Sequence, residues 1–158
     1  MSGGDGVRVG DPAPDFSLPS ATGETARLSD FRGKSAVVLF FFPKANTLVC
    51  TAEACAFRDS FEAFRDAGAE VIGVSADSVE TLRGFAGRHQ LPFRLLSDAD
   101  GMLRVRYGVP KTFGMIPGRV TYVIDLLGVV RHVFVSQFQT AKHVEEAIRI
   151  LNGMPARQ

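Results

Sequence analysis

The longest uninterrupted apolar run in the chain is AVVLFFFP, Ala36 to Pro43. Such a run predicts a strand buried on both faces, as at the centre of a helix-covered sheet. It is far too short to span a bilayer. Glu70–Ala76 (EVIGVSA) predicts a second buried strand and Phe93–Leu96 a short one. Between them the period changes. Phe57, Phe61 and Phe64 recur at helical spacing, while Arg58, Asp59, Glu62 and Asp66 fall largely elsewhere, so one helix is expected from Cys50 to Ala67, stopped by Gly68. Ser78–Gln90 predicts a second helix, capped by Ser78 and ended by Leu91-Pro92.

The remainder is read from punctuation. Residues 14–34 carry short β pieces around Ala21-Thr22-Gly23-Glu24, a hairpin turn. Asp98–Tyr107 predicts a turn and a short helix, and Lys111–Gly118, with Gly114, Pro117 and Gly118, a loop. Arg119–Asp125 and Val129–Val135 predict strands joined as a hairpin at Leu126-Leu127-Gly128. Thr140–Leu151 is the closing helix, capped by Thr140 and stopped by Gly153. The order β-β-β-α-β-α-β-(α)-β-β-α predicts an α/β fold with a mixed sheet, helices on both faces and an antiparallel edge. The expected organisation is a flexible lead-in over 1–10 and a single domain over 11–158.

Composition narrows the function classes. The chain has 158 residues, 46% hydrophobic and 22% charged, enough for a real core. A formal net charge of +1 gives no reason to expect nucleic acid or a membrane surface as partner. The start, MSGGDGVRVGDPAP, contains no apolar signal region, so a cytoplasmic location is expected, or the plastid stroma if the chain is a processed form. Two cysteines do not make a disulfide scaffold, and in a reducing compartment a disulfide is more often transient than structural.

Both cysteines lie in PKANTLVCTAEAC, Pro43–Cys55. Cys50 falls just past the carboxyl end of the first buried strand, at a helix start, where α/β folds place their sites. Free N–H groups and the helix dipole there favour a thiolate. The bland alternative is that both cysteines are small buried hydrophobes. Helix geometry separates Cα atoms five residues apart by about 8.6 Å, beyond the ~7 Å reach of a disulfide, so any bond between these two requires unwinding. A zinc site is not indicated. No third cysteine exists, and His89, His132 and His143 show no ligand spacing.

PKANTLVC fits PxxxTxxC, the active-site pattern of peroxiredoxins. Cys50 followed by Cys55, with Glu53 between and AFRDSFEAFRDAGAEVIGVS after, resembles the peroxiredoxin Q (bacterioferritin comigratory protein) branch. So do LPFRLLSD, PGRVTYVID and QFQTAKHVEEAIRIL, and YGVPKTFGMIPGR is similar to the version in photosynthetic organisms. The resemblance runs from Gly10 to Leu151. It implies a thioredoxin-like fold with an N-terminal β-hairpin extension, and a thioredoxin-recycled peroxidase of the atypical two-cysteine kind for hydrogen peroxide and organic hydroperoxides. Cys50 would be the peroxidatic cysteine, oxidised to a sulfenic acid, and Cys55 the resolving one. Thr47 would hold the peroxide and Pro43 shield it from water. Arg119 would stabilise the thiolate, oriented by Glu53. No metal or organic cofactor is implied, and a monomer is expected.

Each role has a plainer rival. Thr47 can be a helix cap, Pro43 a strand end, Arg119 a solvated strand residue, and Glu53 a dipole-favoured first-turn acid. Rival functions are a thioredoxin-like disulfide reductase or isomerase and a non-catalytic chaperone or interaction domain. One departure stands out. The branch usually has Pro-Gly where this chain has Leu48-Val49, an apolar pair expected to favour bulky organic hydroperoxides. The loop is still expected to form, but Val49 resists φ > 0, so a difference is expected there either in the local backbone or in the ease of unwinding.

Overall fold

The computed structural model describes residues 6–109, 111–112, 116–117, 119–136 and 139–154. In chain order the elements are β1 (Ser17–Pro19), β2 (Thr25–Arg27), a 3-10 turn (Leu28–Phe31), β3 (Ala36–Phe41), α1 (Leu48–Asp59), α2 (Phe61–Asp66), β4 (Ala69–Ser75), α3 (Val79–His89), β5 (Arg94–Ser97), α4 (Met102–Tyr107), β6 (Lys111–Thr112), β7 (Ile116–Pro117), β8 (Val120–Ile124), β9 (Val130–Val135) and α5 (Thr140–Asn152). The central sheet runs β5-β4-β3-β8-β9. β3 pairs parallel with β4 and antiparallel with β8, so the sheet is mixed as the pattern predicts.

β3 divides its side chains by the two-residue period of a strand. Val38 and Phe40 point into a core shared with α1, α2, α3 and α5. Val37, Leu39 and Phe41 point the other way, into a core with α4 and the N-terminal segment. On the first face Phe40 stacks on Phe57 of α1, with centroids 4.4 Å apart and planes at 15°. Gly73 in β4 makes room for this: a Cβ there would lie 2.8 Å from Phe40 and 2.9 Å from Leu95. Stacking on Phe40 fixes α1, and with it Cys50, over the carboxyl end of β3.

Three local expectations are corrected. The helix expected over Cys50–Ala67 starts earlier, at Leu48, and is two helices, bent at Ser60 (φ −106°, ψ 13°). The bend lets Phe57 lie on Phe40 while Phe64 turns beneath β4. The loop expected over Lys111–Gly118 contains the antiparallel pair β6–β7; residues 113–115 and 118 lie outside the described residues. The N-cap of α5 is Gln139, not Thr140, and it makes no side-chain capping bond. In the lead-in, residues 1–5 lie outside the described residues, whereas the Val7 N–H donates to the Tyr107 carbonyl at 3.1 Å and the Gly10 N–H to the Val130 carbonyl at 2.8 Å. Val7 and Gly10 thus each make one backbone bond to the body of the domain.

Candidate active site

Pro43 leaves β3, and the chain turns through Asn46, whose φ of 66° is left-handed, before α1 begins at Leu48. Asparagine tolerates that region better than most residues. The turn is anchored from the end of β4: the Ala45 N–H donates to Asp77 Oδ2 at 2.7 Å, and the Ser75 hydroxyl to the same oxygen at 2.7 Å. Arg88 of α3 donates to Asn46 Oδ1. Leu48 and Val49 occupy the first helical turn, and neither has a positive φ. The loop forms as expected with Val49 in an ordinary helical turn, and the left-handed residue is Asn46.

Cys50 lies in that first turn, 2% exposed, with its sulfur directed inward. Arg119, just ahead of β8, donates from Nη2 to Cys50 Sγ at 3.2 Å and from Nη1 to Glu53 Oε1 at 2.6 Å. Arg119 is 3% exposed and Glu53 fully buried. The solvated-strand reading of Arg119 is thereby excluded: a buried guanidinium bridges the thiol and the carboxylate. Behind Glu53 stands His143 of α5, its Nδ1 3.7 Å from Glu53 Oε2. His143 Nε2 lies 2.7 Å from the Ser136 carbonyl, which only accepts, so Nε2 carries the proton. Nδ1 is then the acceptor, and the Thr121 hydroxyl donates to it at 2.7 Å.

Burial dominates the titration of this cluster. It pushes Glu53 up to about 7, against the pull of Arg119. It drives His143 down to about 4, opposed by the bond to Ser136 and reinforced by the charge of Arg119.

The remaining candidates lie on the outer rim. The Thr47 hydroxyl is exposed and donates to the Lys44 carbonyl at 2.8 Å. It makes no capping bond to α1, so it is not a side-chain cap. Pro43 is half-buried beside the turn. Leu48 is 88% exposed, on an open groove lined by Asn46, Thr47, Thr51, Arg88 and His89. Cys55 is half-buried, and both thiols are free. Both lie within the unbroken α1, consistent with the separation that helix spacing dictates.

The structure therefore brings Cys50, Glu53 and Arg119 into one hydrogen-bonded cluster and leaves Thr47 and Cys55 outside it. His143 and Thr121 join the cluster although sequence reasoning assigned them no role. No spacing pattern links residue 143 to residue 53.

A model of the AhpC/TSA family matches residues 9–133. The chain belongs to the AhpC/TSA family. It is 47% identical over 149 residues to the chloroplastic peroxiredoxin Q of Sedum lineare, covering 94% of this chain and 80% of that one. To the chloroplastic peroxiredoxin Q of Triticum aestivum it is 46% identical, covering 94% and 68%. Among solved structures, the peroxidoxin BcpB of Mycobacterium tuberculosis superposes with a TM-score of 0.88 at 37% identity, over 95% of this chain and 99% of that one. The PrxQ of Xylella fastidiosa, a cysteine mutant, gives 0.85 at 27% identity, over 92% and 96%. The chain is thus a peroxiredoxin, a thiol-dependent peroxidase with the thioredoxin-like fold of its relatives. No helix among the described residues is long and apolar enough to cross a membrane, and no group of them is arranged to hold a metal ion.

Proposed function

We propose that Cys50 is the peroxidatic cysteine and Cys55 the resolving one, with hydrogen peroxide and organic hydroperoxides as substrates. The observation that carries this reading is the Arg119 guanidinium, held by Glu53 at 2.6 Å and donating to Cys50 Sγ at 3.2 Å. A charged donor on sulfur favours the thiolate, the attacking form. Attack on the peroxide oxygen forms S–O, breaks O–O and leaves a sulfenic acid and an alkoxide or hydroxide that takes up a proton. The same guanidinium stands where negative charge builds on the peroxide oxygens. Thr47 turns its hydroxyl from the Lys44 carbonyl to the bound peroxide, and Pro43 keeps water off that side.

Resolution follows from the helix. Cys55 reaches the sulfenic acid only when the first turns of α1 unwind, and its thiolate then displaces hydroxide to give the intramolecular disulfide. A thioredoxin-type dithiol reduces it by exchange. An intramolecular pair needs no second copy, so the working unit is a monomer. The cycle calls for a reducing compartment, the cytoplasm or the plastid stroma to which the relatives' names point.

Stopped-flow peroxide consumption with thioredoxin as donor tests this reading. Cys50→Ser abolishes turnover. Cys55→Ser consumes one equivalent of peroxide and stalls as a sulfenic acid. Normal turnover by Cys50→Ser overturns the assignment. Insulin reduction by the wild-type chain at rates typical of a disulfide reductase would favour that rival.

A further inference from the structure

Asp77 lies just beyond the end of β4 and reaches the turn that leads into α1. Its Oδ2 accepts the Ala45 N–H at 2.7 Å and the Ser75 hydroxyl at 2.7 Å. Among the described residues, this is the one backbone N–H of residues 43–46 with a hydrogen-bond partner. Before it, β3 is last held where the Phe42 N–H donates to the Val74 carbonyl at 3.0 Å. After it, helical bonding starts where the Thr51 N–H donates to the Thr47 carbonyl at 2.9 Å. The Ala45 N–H belongs to the same planar peptide as the Lys44 carbonyl, and in a trans peptide the two point opposite ways. That carbonyl accepts the Thr47 hydroxyl at 2.8 Å. One peptide is thus gripped at both ends, by Asp77 on its N–H and by Thr47 on its C=O.

Asp77 is itself held by two strands. Its N–H donates to Ser75 Oγ at 3.2 Å, and the Ser97 hydroxyl, at the end of β5, donates to its carbonyl at 2.6 Å. Both serines are buried. Arg104 of α4 is buried nearby. Burial works against its cation, and the charges of Asp98 and Asp77 favour it. None of these supports belongs to α1, so the grip on Ala45 does not depend on that helix staying wound.

We propose that Asp77 is a positioning residue of the peroxidase site: it fixes the peptide joining Lys44 to Ala45 and, through that carbonyl, the place where the Thr47 hydroxyl meets the peroxide. This rests on Cys50 being the peroxidatic thiol and on Thr47 touching the substrate. Asp77 acts on the orientation of the peroxide. The charge on sulfur is set from the other side, by Arg119. A buried backbone N–H needs a partner, and with Asp77 removed the peptide turns to find another. The Lys44 carbonyl turns with it, and the Thr47 oxygen follows.

The rate at which hydrogen peroxide oxidises Cys50 in a Cys55→Ser background, read as sulfenic acid trapped by a cyclic diketone, tests this. Asp77→Ala should slow it about 10–100-fold, the cost of a small misplacement near the reacting atoms. The ultraviolet titration of the Cys50 thiolate should keep its midpoint. Asp77→Asn should restore most of the rate, because its amide oxygen accepts the same two bonds. Asp77→Glu keeps the charge but shifts the acceptor by one methylene, so it should stay slow. With Thr47→Ala already in place, Asp77→Ala should cost no more than about twofold further, since the group it positions is gone. If Asp77→Ala does not fold, the order of the Asn and Glu variants decides. The proposal is overturned by an unchanged rate in Asp77→Ala, by a thiolate midpoint that moves with the rate, by Asp77→Glu outpacing Asp77→Asn, or by an undiminished cost in the Thr47→Ala chain. Failure of the peroxidatic assignment looks different: no sulfenic acid then forms on Cys50 in the Cys55→Ser chain itself.

Discussion

The inner and outer sides of the first two turns of α1 are built from opposite materials. Inward, Cys50 and Glu53 meet Arg119 and His143 in a dry cluster in which nearly every polar atom is bonded. Outward, Thr47 and Leu48 are exposed on an open groove. The inner side sets charge, which needs fixed donors and the absence of water. The outer side sets access and gives way when the helix opens. One short helix serves both demands because its 3.6-residue period directs residues 50 and 53 inward while residues 47, 48 and 51 face out or lie at the boundary.

The largest effect should come from breaking the inner side. Arg119→Met strips the donor from Cys50 and leaves Glu53 buried without its cation. We expect kcat/KM for peroxide to fall by about 10²–10³ and stability by about 3–5 kcal/mol in urea unfolding. Adding Glu53→Leu should recover much of the stability and none of the activity. Recovery of both would show that the cluster serves folding alone.

Next in size is a pair of opposite pH dependences. His143 titrates near 4 when folded, against an ordinary 6.5, so its contribution is present above 6.5 and is lost as pH falls through 4. His143→Gln should flatten the acid limb of the stability curve, where the wild type loses up to roughly 3 kcal/mol to this group. Glu53 runs the other way. Its raised pKa means a contribution present below 4.5 and lost as pH rises through 7. Glu53→Gln should therefore gain on the wild type between those limits. Urea titrations at pH 4.5 and 7.5 decide both, and parallel curves for wild type and variants would contradict them.

The distinction between the two sides was only partly visible in the sequence. The strand Ala36–Phe41 and the position of Cys50 after it follow from an apolar run and a change of period. Arg119 could be assigned only through its resemblance to PGR-containing relatives, since a lone arginine at a strand start is usually solvated. His143 carried no signal, because its contact with Glu53 joins residues 90 positions apart and depends on α5 packing against α1. The bend at Ser60 was hidden by the continuous stripe Phe57, Phe61, Phe64, which fits one long helix as well as two. The β6–β7 pair was masked by a stretch whose Gly and Pro content reads as loop. At Leu48-Val49, where the usual Pro-Gly is replaced, both residues fit an ordinary first turn, which leaves the ease of unwinding as the property the replacement can change.

The smallest effect should come from the rim. Leu48→Pro/Val49→Gly removes exposed apolar surface without touching the cluster. It should lower the kcat/KM ratio of cumene hydroperoxide to hydrogen peroxide about fourfold, the size expected for burial of one methylene. An unchanged ratio would remove the rim from substrate choice.

The central claim is that Cys55 reaches Cys50 only when the first turns of α1 leave the Arg119 cluster. Hydrogen exchange on the reduced and the peroxide-oxidised chain tests it most directly. The account predicts that amides 50–55 lose protection once the disulfide forms, while β8 and the α5 segment from His143 to Leu151 keep theirs. A disulfide between Cys50 and Cys55 with α1 protection unchanged would contradict it.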